Sequence, residues 1–71
     1  MKKGDNVKCV SCEHSDYLTA GKIYEVTHGC GDLNKFEDVI DGDDFQIVDD
    51  EGDTILDGVT FNVHAIWELV E

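Results

Sequence analysis

The 71-residue chain contains no proline and no arginine, and its five basic residues are all lysines, against 17 acidic residues. The resulting formal charge of −12 argues against direct binding to nucleic acid or anionic lipid, because phosphate binding depends on lysine and arginine. No apolar run approaches the about 18 residues of a transmembrane helix, and no apolar stretch follows the charged N-terminus as in a signal peptide. We therefore expect a cytoplasmic protein without a membrane segment.

The length of the chain limits the number and size of its domains. One small domain spanning residues 1–71 is all that such a chain allows. Hydrophobic residues make up 41% of the chain, which is enough for a small core and more than a disordered chain of this charge contains. A domain of this size buries only about 60% of the surface that its unfolded chain exposes, so we expect a thin core.

The negative charge is concentrated in the second half of the chain. The first 35 residues hold all five lysines and five acids, whereas the remaining 36 hold twelve acids and no lysine. Ten of these acids lie between positions 37 and 57: Glu37, Asp38, Asp41, Asp43, Asp44, Asp49, Asp50, Glu51, Asp53 and Asp57. A surface built from them would attract a protein with a basic surface. The simpler alternative is that they occupy turns and keep a small domain in solution.

Alternating apolar residues between turn signals predict five short strands. Runs rich in β-branched and aromatic residues are bounded by glycine and aspartate, and no proline interrupts them. The predicted strands cover residues 7–10, 23–28, 45–48, 54–56 and 66–70. A tight hairpin turn with Gly52 at positive φ is expected between the third and fourth strands. Short strands with frequent turns favour a mainly β protein, a small five-stranded antiparallel barrel.

A long acidic insert, residues 27–44, separates the second and third strands. Leu33, Phe36, Val39 and Ile40 are spaced within it as in a single helical turn, and an irregular loop fits them equally well.

The expected positions of several single residues can also be stated. Leu18 is expected to fold back over the core as a lid, and Trp67, on an apolar face, is expected inside the core. A turn is expected near residues 62–65 before the last strand, and His64 is interpreted as a surface strand residue.

Four segments of the chain form a recognisable pattern. They are Lys-Gly-Asp-x-Val-x-Cys at 3–9, Tyr-Leu-Thr-x-Gly-Lys-x-Tyr-Glu-Val at 17–26, Asp-Asp-Glu-Gly-Asp at 49–53, and the final Trp-Glu-Leu-Val. The pattern resembles short bacteriophage proteins with a Src-homology-3-like barrel. This resemblance implies that fold, a phage origin and a location in the host cytoplasm. It implies no activity, because that family consists largely of proteins without an assigned biochemical role.

Several function classes lack their motifs. Eukaryotic barrels of this class bind proline-rich peptides through aromatic grooves, and their Ala-Leu-Tyr-Asp-Tyr, Trp-Trp and Ser-x-x-Pro-x-x-Tyr motifs are absent. The helix-loop-helix calcium pattern centred on Gly58 fails, because Ile55 and His64 would occupy ligand positions. No glycine-rich phosphate loop or nucleophile signature occurs, so we expect no enzyme.

The spacing of cysteine and histidine residues is the feature of the sequence that most specifically indicates a chemical site. Cys9, Cys12, His28 and Cys30, with His14 as an alternative to His28, could form a tetrahedral zinc site. Antiparallel pairing of the first two strands would, however, place the two pairs at opposite ends. The alternative is that Cys9 is a small buried apolar residue and the other two are free cytosolic thiols, since three cysteines form no stable disulfide framework.

Two hypotheses from different classes follow. The first is a phage-encoded acidic module that binds and inhibits a basic host protein during host takeover or anti-defence, with Phe36, Phe45 or Ile55 as apolar anchors. A narrower version mimics the charge of nucleic acid in the basic groove of a restriction, repair or transcription enzyme. The second is a structural domain stabilised by zinc. We expect a monomer with no cofactor apart from this zinc, and an accessory protein without a strong partner is the remaining alternative.

Overall fold

The computed structural model describes residues 1–12, 15–60 and 62–70 and contains five strands in that part of the chain. They are β1 (Asn6–Ser11), β2 (Ile23–Glu25), β3 (Asp44–Val48), β4 (Thr54–Gly58) and β5 (Ile66–Val70). Each overlaps a predicted strand, so the mainly β prediction is confirmed, although β2 ends at Glu25, three residues before the end predicted for it. The described ranges contain no helix with the length and apolar character needed to cross a membrane.

The strands pair antiparallel in two sheets, of order β2-β1-β5 and β3-β4. The chain after β2 joins the sheets, because His28 and Gln46 form an isolated antiparallel bridge and the N–H of Thr27 donates to the Gln46 carbonyl at 2.8 Å. Counted through this bridge, the spatial order is β5-β1-β2-β3-β4. No pairing joins β4 to β5 within the described residues. Five antiparallel strands are thus confirmed, and closure into a barrel stays a prediction.

Side chains from all five strands meet in the same core. Strand alternation turns Val7 and Cys9 of β1 inward, where both are fully buried. Trp67 of β5 packs edge-on against Tyr24 and Phe45, with ring centroids 5.7 and 5.3 Å apart. Aromatic pairs favour this geometry, and Trp67 therefore links the two sheets. The prediction that Trp67 lies in the core is confirmed.

Leu18 covers the core from a loop between β1 and β2. It is buried and belongs to the core cluster, so the predicted lid is confirmed. The loop is held by the N–H of Thr19, which donates to the Tyr24 hydroxyl at 2.9 Å.

The insert between β2 and β3 is an irregular hairpin. Leu33 and Val39 form an isolated antiparallel bridge. The Asn34 side-chain oxygen accepts the N–H groups of Phe36 and Asp38, at 2.8 and 3.1 Å. These backbone donors are therefore satisfied locally without a helix. The residue between them, at position 37, has a φ of 66°, outside the right-handed helical region. The irregular loop is confirmed, and the helical turn is wrong.

Gly29 anchors the N-terminal residues against the insert. A Cβ at this position would lie 2.5 Å from the Met1 carbonyl oxygen and 2.7 Å from the Lys2 Cα. The next N–H, that of Cys30, donates to the same Met1 oxygen at 2.6 Å. Backbone atoms this close leave no room for a side chain.

We expect Gly29→Ala to lower the free energy of unfolding by about 2 kcal/mol, because residues 1–2 must move away from the added methyl group. Urea denaturation followed by Trp67 fluorescence measures this loss. Cys30→Ala, on the adjacent exposed side chain, is the matched control and should stay within about 0.5 kcal/mol of the parent. Equal stability of Gly29→Ala and the parent would show that the N-terminus does not pack there.

Candidate functional site

The predicted partner-binding acids occupy three turns. We call these turns the insert tip (residues 37–38), the β3 entry (residues 41–44) and the hairpin turn (residues 50–53). Eight of the ten acids are exposed or half-exposed in them: Glu37, Asp38, Asp41, Asp43, Asp44, Asp50, Glu51 and Asp53. The β3 entry and the hairpin turn lie at opposite ends of the five-residue strand β3, about 13 Å apart. The acids of the β3 entry and of the hairpin turn therefore form two separate clusters.

Asp49 is buried and shapes the hairpin turn. Its Oδ1 accepts the N–H groups of Glu51 and Asp53, at 3.0 and 2.9 Å. Gly52, with a φ of 87°, completes the turn as predicted. The Asp49 carboxylate is therefore used inside the turn and is not offered to a partner.

Asp57 is only 3% exposed, and its carboxylate accepts five hydrogen bonds. The donors are the N–H groups of Gly58 (2.8 Å), Val63 (2.7 Å), His64 (3.0 Å) and Ala65 (3.1 Å) and the indole N–H of Trp67 (2.6 Å). These donors replace the water that the carboxylate loses on burial. The sequence pattern places Asp57 among the surface acids, whereas the structure places its carboxylate inside, where it holds the chain between β4 and β5.

Asp50 ties the hairpin turn to the start of β2. Its carboxylate accepts hydrogen bonds from the Lys22 ammonium and the Thr19 hydroxyl, both at 2.6 Å, and from the Tyr24 hydroxyl at 2.9 Å. The bond from Lys22 is the main cause that lowers the pKa of Asp50 to about 2. The same bond raises the pKa of Lys22, and burial raises that of Tyr24. Lys22–Asp50 is the one ion pair among the described residues.

Exposed apolar side chains accompany the acids of the insert tip. Phe36 and Val39 are 67% and 65% exposed. The Lys35 ammonium holds the insert against β4, because it donates to the Thr54 carbonyl at 2.9 Å. A groove of about 420 Å³ is lined by Lys35, Phe36, Ile55, Leu56, Val63 and His64. The insert thus carries an accessible aromatic ring, that of Phe36, directly before the two carboxylates of the insert tip.

Of the three apolar anchors predicted from the sequence, Phe36 alone is accessible. Phe45 and Ile55 are 0% and 8% exposed and belong to the core. The prediction that Phe45 or Ile55 contacts a partner is therefore wrong, because β3 and β4 turn these side chains inward.

The predicted zinc ligands separate into two pairs. Cys9 and Cys12 lie at the end of β1, whereas His28 and Cys30 follow β2. The antiparallel pairing of β1 and β2 places those two ends apart. In the part of the chain that the structure describes, no three His, Cys, Asp or Glu side chains converge to hold a metal ion. The alternative ligand, His14, lies outside the described residues.

Cys9 and Cys12 are neighbours in different surroundings. Cys9 is fully buried in the core, as the apolar interpretation predicts, and Cys12 is half-buried. The Cys12 thiol donates to the Leu18 carbonyl at 3.3 Å. Burial, and then the hydrogen bond to the Cys12 side chain, raise the pKa of the Cys9 thiol to about 11.

His64 joins the turn before β5 to the loop after β1. The Tyr17 hydroxyl and His64 Nδ1 are hydrogen-bonded at 2.5 Å, and the Ser15 hydroxyl donates to the His64 carbonyl at 2.6 Å. His64 is half-buried in a turn, so its interpretation as a surface strand residue is wrong. No spacing in the sequence could reveal these contacts, because the partners are 47 and 49 positions apart.

Comparison of the chain with known protein families, with curated proteins and with solved structures found no match. The function is therefore inferred from the charge, exposure and contacts described above.

We expect Asp57→Asn to destabilise the fold by about 3 kcal/mol or more. The amide that replaces one carboxylate oxygen cannot accept from the N–H groups that face it, so buried donors lose their partner. Thermal unfolding followed by circular dichroism measures this, with a loss of roughly 15 °C in Tm for a domain of this size. Asp53→Asn in the exposed hairpin turn is the matched control and should change Tm little. A Tm within a few degrees of the parent for Asp57→Asn would contradict the structural role.

Asp50 should make stability depend on pH in acid. Its pKa is about 2 in the fold against an ordinary 3.8, so its contribution is present above the ordinary value and is lost as the pH falls through the folded value. The difference in unfolding free energy between the parent and Asp50→Asn should therefore shrink as the pH falls from about 4 to about 2. Urea denaturation across this range measures it. The difference should become smaller in a Lys22→Gln background but not vanish, because the Thr19 and Tyr24 hydroxyls still donate to Asp50. A pH-independent difference would contradict the assignment.

Proposed function

We propose that the protein is a small acidic module that binds a protein with a basic surface and inhibits it by covering that surface. One observation carries the proposal. Of the eight acids on the insert tip, the β3 entry and the hairpin turn, Asp50 is the one with a cationic partner in the described part of the chain. The others leave a strong negative potential in the surrounding solvent.

Self-repulsion among these acids opposes folding in a chain of charge −12. A basic partner would relieve that repulsion on binding. Complementary potentials also speed the encounter of two proteins and select against acidic competitors. The separate acidic clusters fit a partner whose cationic groups are spread over a surface longer than β3.

The exposure of Phe36 favours a protein as the binding partner of the acids, because small counterions would not need an exposed aromatic ring. Phe36 directly precedes Glu37 and Asp38 in the chain, and its ring is largely exposed. Aromatic side chains that enter a pocket of the partner commonly carry much of the binding energy, and surrounding charges set orientation. A narrower form of the proposal makes the spaced carboxylates substitutes for phosphates in the basic groove of a nucleic-acid enzyme.

The resemblance to short phage proteins supports a wider proposal: a phage-encoded monomer that acts on a host protein in the host cytoplasm. The spatial strand order β5-β1-β2-β3-β4 is consistent with a Src-homology-3-like barrel, with no β4–β5 pairing among the residues that the structure describes. A zinc-stabilised domain is not part of the proposal, because the candidate ligands lie at two ends of the β1–β2 pair.

Affinity capture from bacterial lysate tests the proposal. Tagged protein is loaded at low salt, washed, and eluted at high salt, and bound proteins are identified by mass spectrometry. We expect a basic protein that is retained at low salt and released at high salt, because salt screens contacts between exposed charges. The affinity of that protein, once purified, is then measured for each variant.

Two double variants make the test specific. Glu37→Lys with Asp38→Lys alters the insert tip, and Asp16→Lys with Glu25→Lys makes the same change in charge on exposed acids of the neutral half. We expect the first to weaken binding about ten-fold or more and the second to change it little. Phe36→Ser should weaken binding with no change in net charge. Equal losses of affinity in both double variants would show that only the net charge of the protein matters. Unchanged affinity in the first double variant would show that the insert tip does not contact the partner.

A further inference from the structure

The end of β1 carries a β-bulge that bears on its two cysteines. Cys9 pairs with Trp67 and Ser11 pairs with Ile66, so the register shifts by one residue at Val10. In a regular strand, residues 9 and 12 would face opposite sides of the sheet. An extra residue between them re-aims the following side chain. Consistent with this, the Cys12 side chain packs against the core cluster that contains Cys9.

The chain also turns at Cys12. The N–H of Ser15 donates to the Cys12 carbonyl at 3.0 Å, so the extended strand ends there. A disulfide needs Cα atoms about 4.4–6.8 Å apart, whereas three residues of regular strand span about 10 Å. The bulge shortens this separation, and both side chains contact the same core cluster.

The two thiols differ in access. Cys12 lines a cavity of about 220 Å³ together with Ser11, Asn62, Val63, His64, Ala65 and Ile66. Cys9 has no exposed surface and belongs to the core cluster. A small molecule in the cavity therefore meets Cys12, whereas the buried Cys9 is closed to it.

We propose that Cys9 and Cys12 are a reversible dithiol–disulfide pair that reacts with a small-molecule disulfide such as oxidised glutathione. The Cys12 thiolate attacks one sulfur of that disulfide, so a mixed disulfide forms and one small thiolate leaves. The Cys9 thiolate then attacks the Cys12 sulfur, closes the Cys9–Cys12 bond and releases the second thiolate. Two protein thiols are oxidised, one small disulfide is reduced to two thiols, and the two protons pass to the released thiolates.

The reaction also changes the fold locally. Oxidation removes the Cys12 thiol proton and with it the hydrogen bond to the Leu18 carbonyl, which belongs to the lid over the core. This site is separate from the acidic clusters, so it does not depend on the proposed function.

The protein's own lysines make the test direct. Full-length protein is equilibrated with reduced and oxidised glutathione in the presence of EDTA, remaining thiols are alkylated, and trypsin is added. Cleavage after Lys8 and Lys22 releases residues 9–22, which contain Cys9 and Cys12, while Cys30 lies in residues 23–35. We expect residues 9–22 to lose about 2 Da, the mass of two hydrogens, and to carry neither glutathione nor alkyl groups. Cys30 should be found alkylated or glutathionylated.

Controls show whether disulfide formation between Cys9 and Cys12 depends on the folded structure or occurs equally in the unfolded chain. The same equilibration in concentrated urea gives the tendency of the unfolded chain to form this disulfide. We expect the ratio of disulfide to dithiol to be about ten-fold higher in the folded protein, because the fold holds the thiols together. Cys30→Ser should leave this ratio unchanged, and Cys9→Ser should trap glutathione on Cys12. Glutathione that stays on Cys12 of the parent, a Cys9–Cys30 cross-link, or equal ratios in the folded and unfolded chain would each overturn the proposal.

Discussion

The hydrogen bonds to the Asp57 carboxylate hold the segment that connects β4 to β5, and the packing of Trp67 depends on them. A carboxylate that is almost fully buried is tolerated only when hydrogen bonds replace its hydration, and Asp57 receives five of them. The donors follow Asp57 by one to ten positions, so a single side chain shapes the turn between β4 and β5 and orients the indole of Trp67. Trp67 then packs against Tyr24 and Phe45, which belong to the two different sheets.

Acidic residues therefore serve different purposes in this protein. Asp57 and Asp49 satisfy backbone N–H groups from inside, and Asp50 holds the lysine and hydroxyl groups that fasten the hairpin turn. The remaining acids of the three turns form no ion pair within the described ranges. This division accounts for how so small a domain folds despite its charge: some of the acids stabilise it, and the others stay exposed to solvent.

Local sequence patterns were reliable where a structure depends on neighbouring residues. The strands, the hairpin turn at Gly52 and the burial of Trp67 follow from alternation and turn chemistry, and all were confirmed. The helical turn failed because the Asn34 side chain takes backbone N–H groups that a helix would need, which the apolar spacing does not report. His64 was misplaced because the carboxylate that holds its N–H lies seven positions away and its other partners lie on another loop.

Composition and spacing by themselves determined that the chain is mainly β, that its strands are short and separated by turns, and that its excess charge lies in one half. These properties depend on residue types and on contacts between near neighbours in the chain. Only the tertiary structure decided which aspartates are inside, which apolar side chains are accessible and how deeply each thiol is buried. An aspartate at position 53 and one at position 57 look alike in the sequence, and they differ because backbone and indole donors from the turn before β5 and from β5 itself converge on one of them and not on the other.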